Sequence, residues 1–247
     1  MPQLEQRLVG HLNCHIVTAQ QPELLVVLAH GFGAPGDDLV PLAPHLLSLV
    51  KELNEKVVFV FPAAPLSLAD YGYAMGRAWW PLDMERLNRA VESGEFRDLR
   101  NQSPPELPRV SQMLAETIAL LQAECGLSYA QTVVGGFSQG SMLATDFAFN
   151  AEHKPAGLVI WSGTLINEQQ WRKLAGSISA VPVIQSHGTL DPILPYAAAM
   201  WLLDMLLEAG AEVEFIEFEG PHTIPPNALS ATANLLALLL ARNDQQS

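Results

Sequence analysis

QTVVGGFSQGSMLATDFAF, residues 131–149, places a serine between glycines where a β-rich apolar run gives way to a helical pattern. Val133 and Val134 lead in, Gly136-x-Ser138-x-Gly140 makes the joint, and an apolar helix follows from Gln139. A structural reading exists, because glycines form tight turns and serine caps helices. The chemical reading is a nucleophile elbow, a strained strand-to-helix turn that lifts a serine hydroxyl clear of the sheet. Such a turn needs small residues on either side of the serine, and Gly136 and Gly140 supply them. The helix beginning at Gln139 then directs its positive end at the hydroxyl.

Outward from this joint, strand and helix patterns alternate. The runs 24–31, 57–62, 131–136, 157–163, 181–188 and 212–220 read as strands, most of them nearly continuous in apolar residues. Strands covered on both faces have that character. Helical patterns lie between and after them, at 38–54, 105–125, 139–151, 167–175, 196–209 and 226–242. This alternation predicts an α/β fold: a mainly parallel, doubly wound sheet with helices on both faces. Residues 3–19 read as an added antiparallel edge strand, and 1–247 as a single domain.

The 247 residues suffice for one large α/β domain, and 49% apolar with 16% charged residues marks a globular chain. A net charge of −13 argues against nucleic acid or an anionic membrane as a partner, and says nothing of substrate charge. Cys14 and Cys125 have no metal or redox spacing and read as buried free thiols of a reducing compartment. The opening residues lack a signal-peptide pattern, and the apolar stretch Ala233 to Ala241 is too short to span a bilayer. The expected location is the cytoplasm, without stable membrane insertion. The oligomeric state is not legible.

In an open α/β sheet, ligands bind at the carboxyl ends of the strands. Here His30-Gly31, Ser138, Asp191 and His222 all follow strand runs and so converge on one edge. A serine attacks only when a base takes its proton, and the order expected along this fold is serine, acid, histidine. Three histidines follow Ser138. His153 reads as an exposed turn residue and His187 as a structural residue shaping the acid loop. His222, in a loop held by three prolines, reads as the base. Asp191, stiffened by Pro192, reads as the carboxylate that orients the imidazole. Asp146 and Asp204 lie on helices and are poorer candidates. The oxyanion donors are read as the backbone N–H groups of Gln139 and of Phe32, the latter in the glycine-rich loop 28–38. That loop lacks the glycine spacing and the lysine of a nucleotide cradle. In it, His30, Gly31 and Gly33 let the backbone approach closely.

Trp79, Trp80 and Tyr73 are candidates for the substrate pocket, and Met75 reads as core. The polar segment 84–108, with its double proline, reads either as a solvated surface insertion or as a cap beside the site.

Taken together, these residues resemble the phospholipase/carboxylesterase family of α/β-hydrolases, which includes acyl-protein thioesterases. HGFG (30–33), FPAAP (61–65), RAWWPLD (77–83), GGFSQGS (135–141), HGTLDPILP (187–195) and GPHTIPP (220–226) are similar to its segments in order. The resemblance implies a catalytic triad of Ser138, Asp191 and His222, oxyanion donors at Phe32 and Gln139, and no metal or organic cofactor. It implies hydrolysis of carboxylic esters and thioesters. Ser141 stands where the family has Gly, which is expected to narrow the room beside the nucleophile. The insertion is longer than in the thioesterases and no long acyl tunnel is legible, so small to medium acyl esters are expected. The alternative from another class is a ligand-binding protein on the same fold without turnover. A cysteine nucleophile, as in dienelactone hydrolases, does not fit, because serine holds the elbow.

Overall fold

The computed structural model describes residues 3–244. The chain opens with a hairpin of β1 (Leu4–Val9) and β2 (Leu12–Val17), in which Val9 pairs with Leu12 across the two-residue turn Gly10-His11. Gly10 takes a φ of 58°, the left-handed value such tight hairpin turns require. Two antiparallel strands therefore stand where the sequence suggested one.

β3 (Leu24–Ala29) is buried from end to end, as its unbroken apolar run requires. After it come α1 (Leu42–Leu49), β4 (Val57–Ala63), and the short β5 (Leu66–Ser67) and β6 (Arg77–Ala78), which pair with each other in a separate ribbon. Then follow α2 (Met84–Ser93), α3 (Leu107–Cys125), β7 (Thr132–Phe137), α4 (Gln139–Asn150), β8 (Gly157–Trp161) and α5 (Glu168–Leu174). The last elements are β9 (Pro182–Gly188), α6 (Tyr196–Glu208), β10 (Glu212–Phe218) and α7 (Pro226–Asp244).

The eight-stranded sheet has the order β1-β2-β4-β3-β7-β8-β9-β10. Every pairing from β4 to β10 is parallel, and those of β1 with β2 and β2 with β4 are antiparallel. Two cores lie on opposite faces. Leu25 and Val27 of β3 join residues of α3, α4 and α6, whereas Leu24, Val26 and Leu28 join residues of α1 and α7. Period-two alternation thus sends each neighbour on β3 to a different layer. β10 is the edge strand; its glutamates at 212, 214 and 217 alternate with Val213, Phe215 and Ile216 in a half-exposed pattern. This is the α/β-hydrolase architecture, with a mostly parallel sheet between helical layers.

Segment 84–108 departs from the irregular insertion that its polarity suggested. Its first ten residues are helical: Asp83 Oδ1 accepts from the Arg86 N–H at 2.9 Å at one end, and Gly94 closes the other at φ 67°. Only Leu87 and Ala90 are buried, a stripe too narrow to reveal itself as an amphipathic pattern. Met75, expected in the core, is instead 77% exposed on the loop before β6, and Cys125 is half-buried.

Candidate active site

Ser138 joins β7 to α4 with φ 54° and ψ −120°, a conformation that non-glycine residues rarely adopt. Its N–H bonds the Trp161 carbonyl at 2.9 Å, which fixes the turn against β8. The flanking glycines are required by packing: a Cβ on Gly136 would sit 2.2 Å from the Ala29 oxygen, and one on Gly140 only 2.1 Å from it. The end of β3 is therefore pressed against the elbow from below, and any side chain there would push the serine out of place.

Ser141 fits this arrangement differently from expectation. Its hydroxyl donates to the Ser138 carbonyl at 2.7 Å, and its side chain fills the space left by Gly163, where an added Cβ would lie 2.3 Å from Ser141 Oγ. The extra volume goes into the buried side of α4, away from the cavity above Ser138.

The acid follows β9. Asp191 is buried, and its Oδ1 accepts from the N–H groups of Ile193 and Leu194 at 2.8 and 2.9 Å. Its Oδ2 lies 2.6 Å from His222 Nδ1. The carboxylate accepts, so Nδ1 carries the proton and Nε2 is left as the basic nitrogen. The acid and histidine loops are laced together: the Thr189 N–H bonds the Phe218 carbonyl, and the Leu190 N–H bonds the Gly220 carbonyl. Gly188 permits this, since a Cβ there would be 2.2 Å from the Gly220 oxygen. On the other side, Ser162 Oγ donates to the Thr223 carbonyl at 2.9 Å. The His222 ring packs on Phe137, the residue before the elbow serine, with centroids 4.7 Å apart. Ser138 and His222 line one cavity, although no hydrogen bond joins them among the described residues.

The loop after β3 lies on the other flank of the serine. A Cβ on Gly31 would be 3.3 Å from Ser138 Cβ, so the backbone there approaches as closely as a glycine allows. His30 does more than leave room. It is buried, its Nε2 accepts from the Ala64 N–H at 2.9 Å, and its Nδ1 lies 2.7 Å from the Gly31 carbonyl. Because Ala64 can only donate, Nδ1 must carry the proton and donate to Gly31. Burial pushes this imidazole down to about 4, which keeps it neutral. Further along, the Gly33 N–H bonds the Arg77 carbonyl and the Arg77 N–H bonds the Ala34 carbonyl.

Gln139, the first residue of α4, has a backbone N–H with no acceptor within its own helix. Its buried side chain accepts from the Trp79 N–H at 2.8 Å and donates to the Trp80 carbonyl at 2.9 Å. That clamp sorts the aromatic candidates. Trp80 lines the cavity; Trp79 is fully buried beneath it, its Nε1 donating to the His30 carbonyl at 2.9 Å. Tyr73 stands outside, 41% exposed, with its ring edge-on to Phe32.

The cavity over Ser138 has a volume of about 240 Å³. Phe32, Trp80, Phe137, Met142, Ile166 and Leu194 contribute to its wall, and so do Leu82, Met84, Leu87, Leu99 and Pro104. No sequence signal marks Met84, Leu87 or Leu99, because their common role appears only once the insertion folds over the elbow. His153, by contrast, lies exposed beside Tyr129, as expected of a turn residue.

A family model described as phospholipase/carboxylesterase matches residues 13–240. The chain belongs to the phospholipase/carboxylesterase family. It is similar to acyl-protein thioesterase 1 of Eremothecium gossypii, with 29% identity over 73% of this chain and 72% of that one. Acyl-protein thioesterase 1 of Saccharomyces cerevisiae is 24% identical over 85% of this chain and 90% of its own. Among solved structures, esterase PE8 superposes with a TM-score of 0.75 at 25% identity, covering 96% of this chain and 99% of that one. As a member of this family the chain is a carboxylesterase/thioesterase-type serine hydrolase, and its substrates are esters or thioesters. Among the described residues no helix is long and apolar enough to cross a membrane.

Proposed function

We propose that this family member hydrolyses carboxylic esters, and thioesters of the same size, with small to medium acyl chains, through Ser138, His222 and Asp191. The observation that carries the proposal is the short Asp191–His222 bond placed over the same cavity as a serine held at φ 54°. His222 Nε2 takes the proton of Ser138 as its oxygen attacks the carbonyl carbon. The tetrahedral oxyanion is received by the backbone N–H groups of Phe32 and Gln139, each contributing about 3 kcal/mol to the transition state. The imidazolium then gives its proton to the departing alcohol or thiol, leaving an acyl-serine. Water, deprotonated by the same nitrogen, adds to the acyl carbon, and release of the acid restores the serine.

A cavity of about 240 Å³ falls below the roughly 300–1,000 Å³ of sites for drug-sized ligands, which supports short rather than long acyl groups. We read the chain as one domain, with 84–108 as its cap, and the cytoplasm as the compartment that suits its two free thiols. The test is Ser138→Ala assayed on p-nitrophenyl butyrate, with fluorophosphonate labelling of the unmodified protein. The expected result is loss of at least about 10³-fold in kcat and labelling at Ser138 alone. Undiminished turnover, or no labelling of the active protein, would overturn the proposal.

A further inference from the structure

Arg97 is a cation in a largely apolar chamber. It lies in the insertion after α2, lines the cavity above Ser138, and is half-buried. No Asp, Glu or Lys shares that wall, whose other polar side chains are those of Ser138, Gln139, Gln102 and His222, with the indole of Trp80. The Arg97 Nη1 donates to the Ile193 carbonyl at 2.7 Å, in the loop whose N–H groups hold Asp191. Among the described residues no carboxylate pairs with it: Asp98 is taken by Arg100, and Asp83 caps α2. A guanidinium has five N–H donors, and one bond to a carbonyl leaves most of them unused. Desolvation, followed by the nearby charge of Arg86, holds its affinity for protons below that of a free arginine. Neither effect removes the charge, and the half-buried guanidinium also borders the neighbouring cleft, where Asp83, Glu95, Asp98 and Glu106 lie without pairing with it among the described residues.

We propose that Arg97 is an anion subsite, and that the preferred substrates are esters or thioesters carrying a carboxylate or phosphate within reach of the scissile carbonyl. The inference rests on Ser138 acting in this cavity and adds the substrate's charge to that reading. A planar guanidinium recognises such groups by paired N–H bonds, and a half-buried one forms them more strongly than one at an open surface. Apart from Gln102, Gln139 and the Ser138–His222 end, the rest of the wall is aliphatic and aromatic, so the subsite selects a short apolar spacer ending in an anion. The strongly negative protein surface does not oppose this, because no carboxylate faces the chamber itself.

The charge can reside on the acyl group or on the leaving group, and two arms separate these sources. In the first, the mono-p-nitrophenyl ester of glutaric acid is compared with p-nitrophenyl valerate. In the second, 4-butyryloxybenzoate is compared with its uncharged methyl ester. The readout in each is the ratio of kcat/KM for the charged over the neutral substrate. The unmodified protein is expected to favour the charged substrate at least tenfold in one arm, with the preference shrinking as salt rises. Arg97→Met is expected to abolish the ratio in that arm, whatever it does to the neutral rate, and Arg97→Lys to restore part of it. A ratio near one in both arms, or a ratio unmoved by Arg97→Met, overturns the subsite. Should the methionine variant fold poorly, the salt dependence of the ratio in the unmodified protein decides alone: a preference that salt leaves unchanged also overturns it. Failure of the hydrolase reading is distinguishable, because then none of the four esters is turned over.

Discussion

His187 Nε2 stands 3.3 Å from Asp191 Oδ2, the same oxygen that receives His222 Nδ1 at 2.6 Å. His187 is buried completely, and its Nε2 also meets the Leu194 carbonyl at 2.8 Å, so that nitrogen carries the proton and donates. Burial pushes the imidazole below its ordinary value and keeps it neutral. A neutral imidazole at this point ties down the Leu194 carbonyl, in the loop whose N–H groups hold Asp191. If Asp191 and His222 act as proposed, His187→Ala is expected to lower kcat by roughly tenfold, about the worth of one neutral hydrogen bond that orders the acid loop, with little change in KM. Glutamine can present its amide N–H where Nε2 was, so His187→Gln should recover part of kcat. Equal losses in both variants, or a loss confined to KM, would show that the residue only fills space.

Two of the glycines around Ser138 are there for different reasons, and substitution separates them. At Gly140 an added methyl would lie 2.1 Å from the Ala29 oxygen, a backbone atom of a central strand that cannot swing aside. At Gly33 a methyl would meet nothing within 4 Å, but the backbone sits at φ 83°. Gly140→Ala is expected to abolish activity and lower stability by about 3 kcal/mol or more through overpacking. Gly33→Ala is expected to cost only about 1–2 kcal/mol, the left-handed penalty. Thermal unfolding of both variants, with ester turnover, checks the ranking, and comparable losses would contradict it.

Much of this was open to reading along the chain. The elbow was legible because Gly136, Ser138 and Gly140 bind strand, turn and helix into one local pattern, and local patterns survive in sequence. The Asp191–His222 pair was legible from position alone, since strand ends in this fold meet at one edge. What did not show was the second use of side chains already assigned. Gln139 was read for its backbone N–H, yet its amide also clamps Trp79 and Trp80. His30 was read as making room, yet its ring bridges Ala64 and Gly31. Such bonds join positions 34 to 60 residues apart in the chain, and no periodicity records them. The insertion was hidden differently: Leu87 becomes cavity wall through a helix whose buried stripe is two residues wide, and Leu99 through the loop that follows it.

His30 also makes stability depend on acidity. Burial holds its pKa at about 4, against about 6.5 when unfolded, so between these values the unfolded chain binds the extra proton. Stability is thus full above about pH 6.5 and falls as the pH drops towards 4. For this one group the loss at pH 5 is about 2 kcal/mol relative to neutrality, since one pKa unit corresponds to 1.36 kcal/mol. His187, lowered in the same direction, adds to the slope. His30→Gln should be less stable at pH 7, having lost the ring's bonds, yet show a shallower decline between pH 7 and pH 5. Urea unfolding at both values tests this. Parallel declines in the variant and the unmodified protein would mean that His30 contributes nothing to the acid sensitivity.

The size of the chamber sets a last expectation. Leu99 is buried at its wall, on the insertion, and shortening it removes three carbon atoms from the boundary of a space of about 240 Å³. Leu99→Ala is expected to cost about 2–5 kcal/mol of stability, as buried leucine truncations do. The space gained belongs to the cavity that Ser138 lines, so if the acyl group is held there as proposed, the same change should move the preferred acyl chain towards longer groups by about two or three carbons. Most of that shift should be in kcat/KM, because an apolar pocket discriminates a methylene by about 1–3 kcal/mol. A series of p-nitrophenyl esters from acetate to decanoate measures it. If the optimum stays where it was while stability falls, Leu99 supports the cap without bounding the acyl group, and the chain-length limit must be set by the wall that Met142 and Ile166 contribute from the body of the fold.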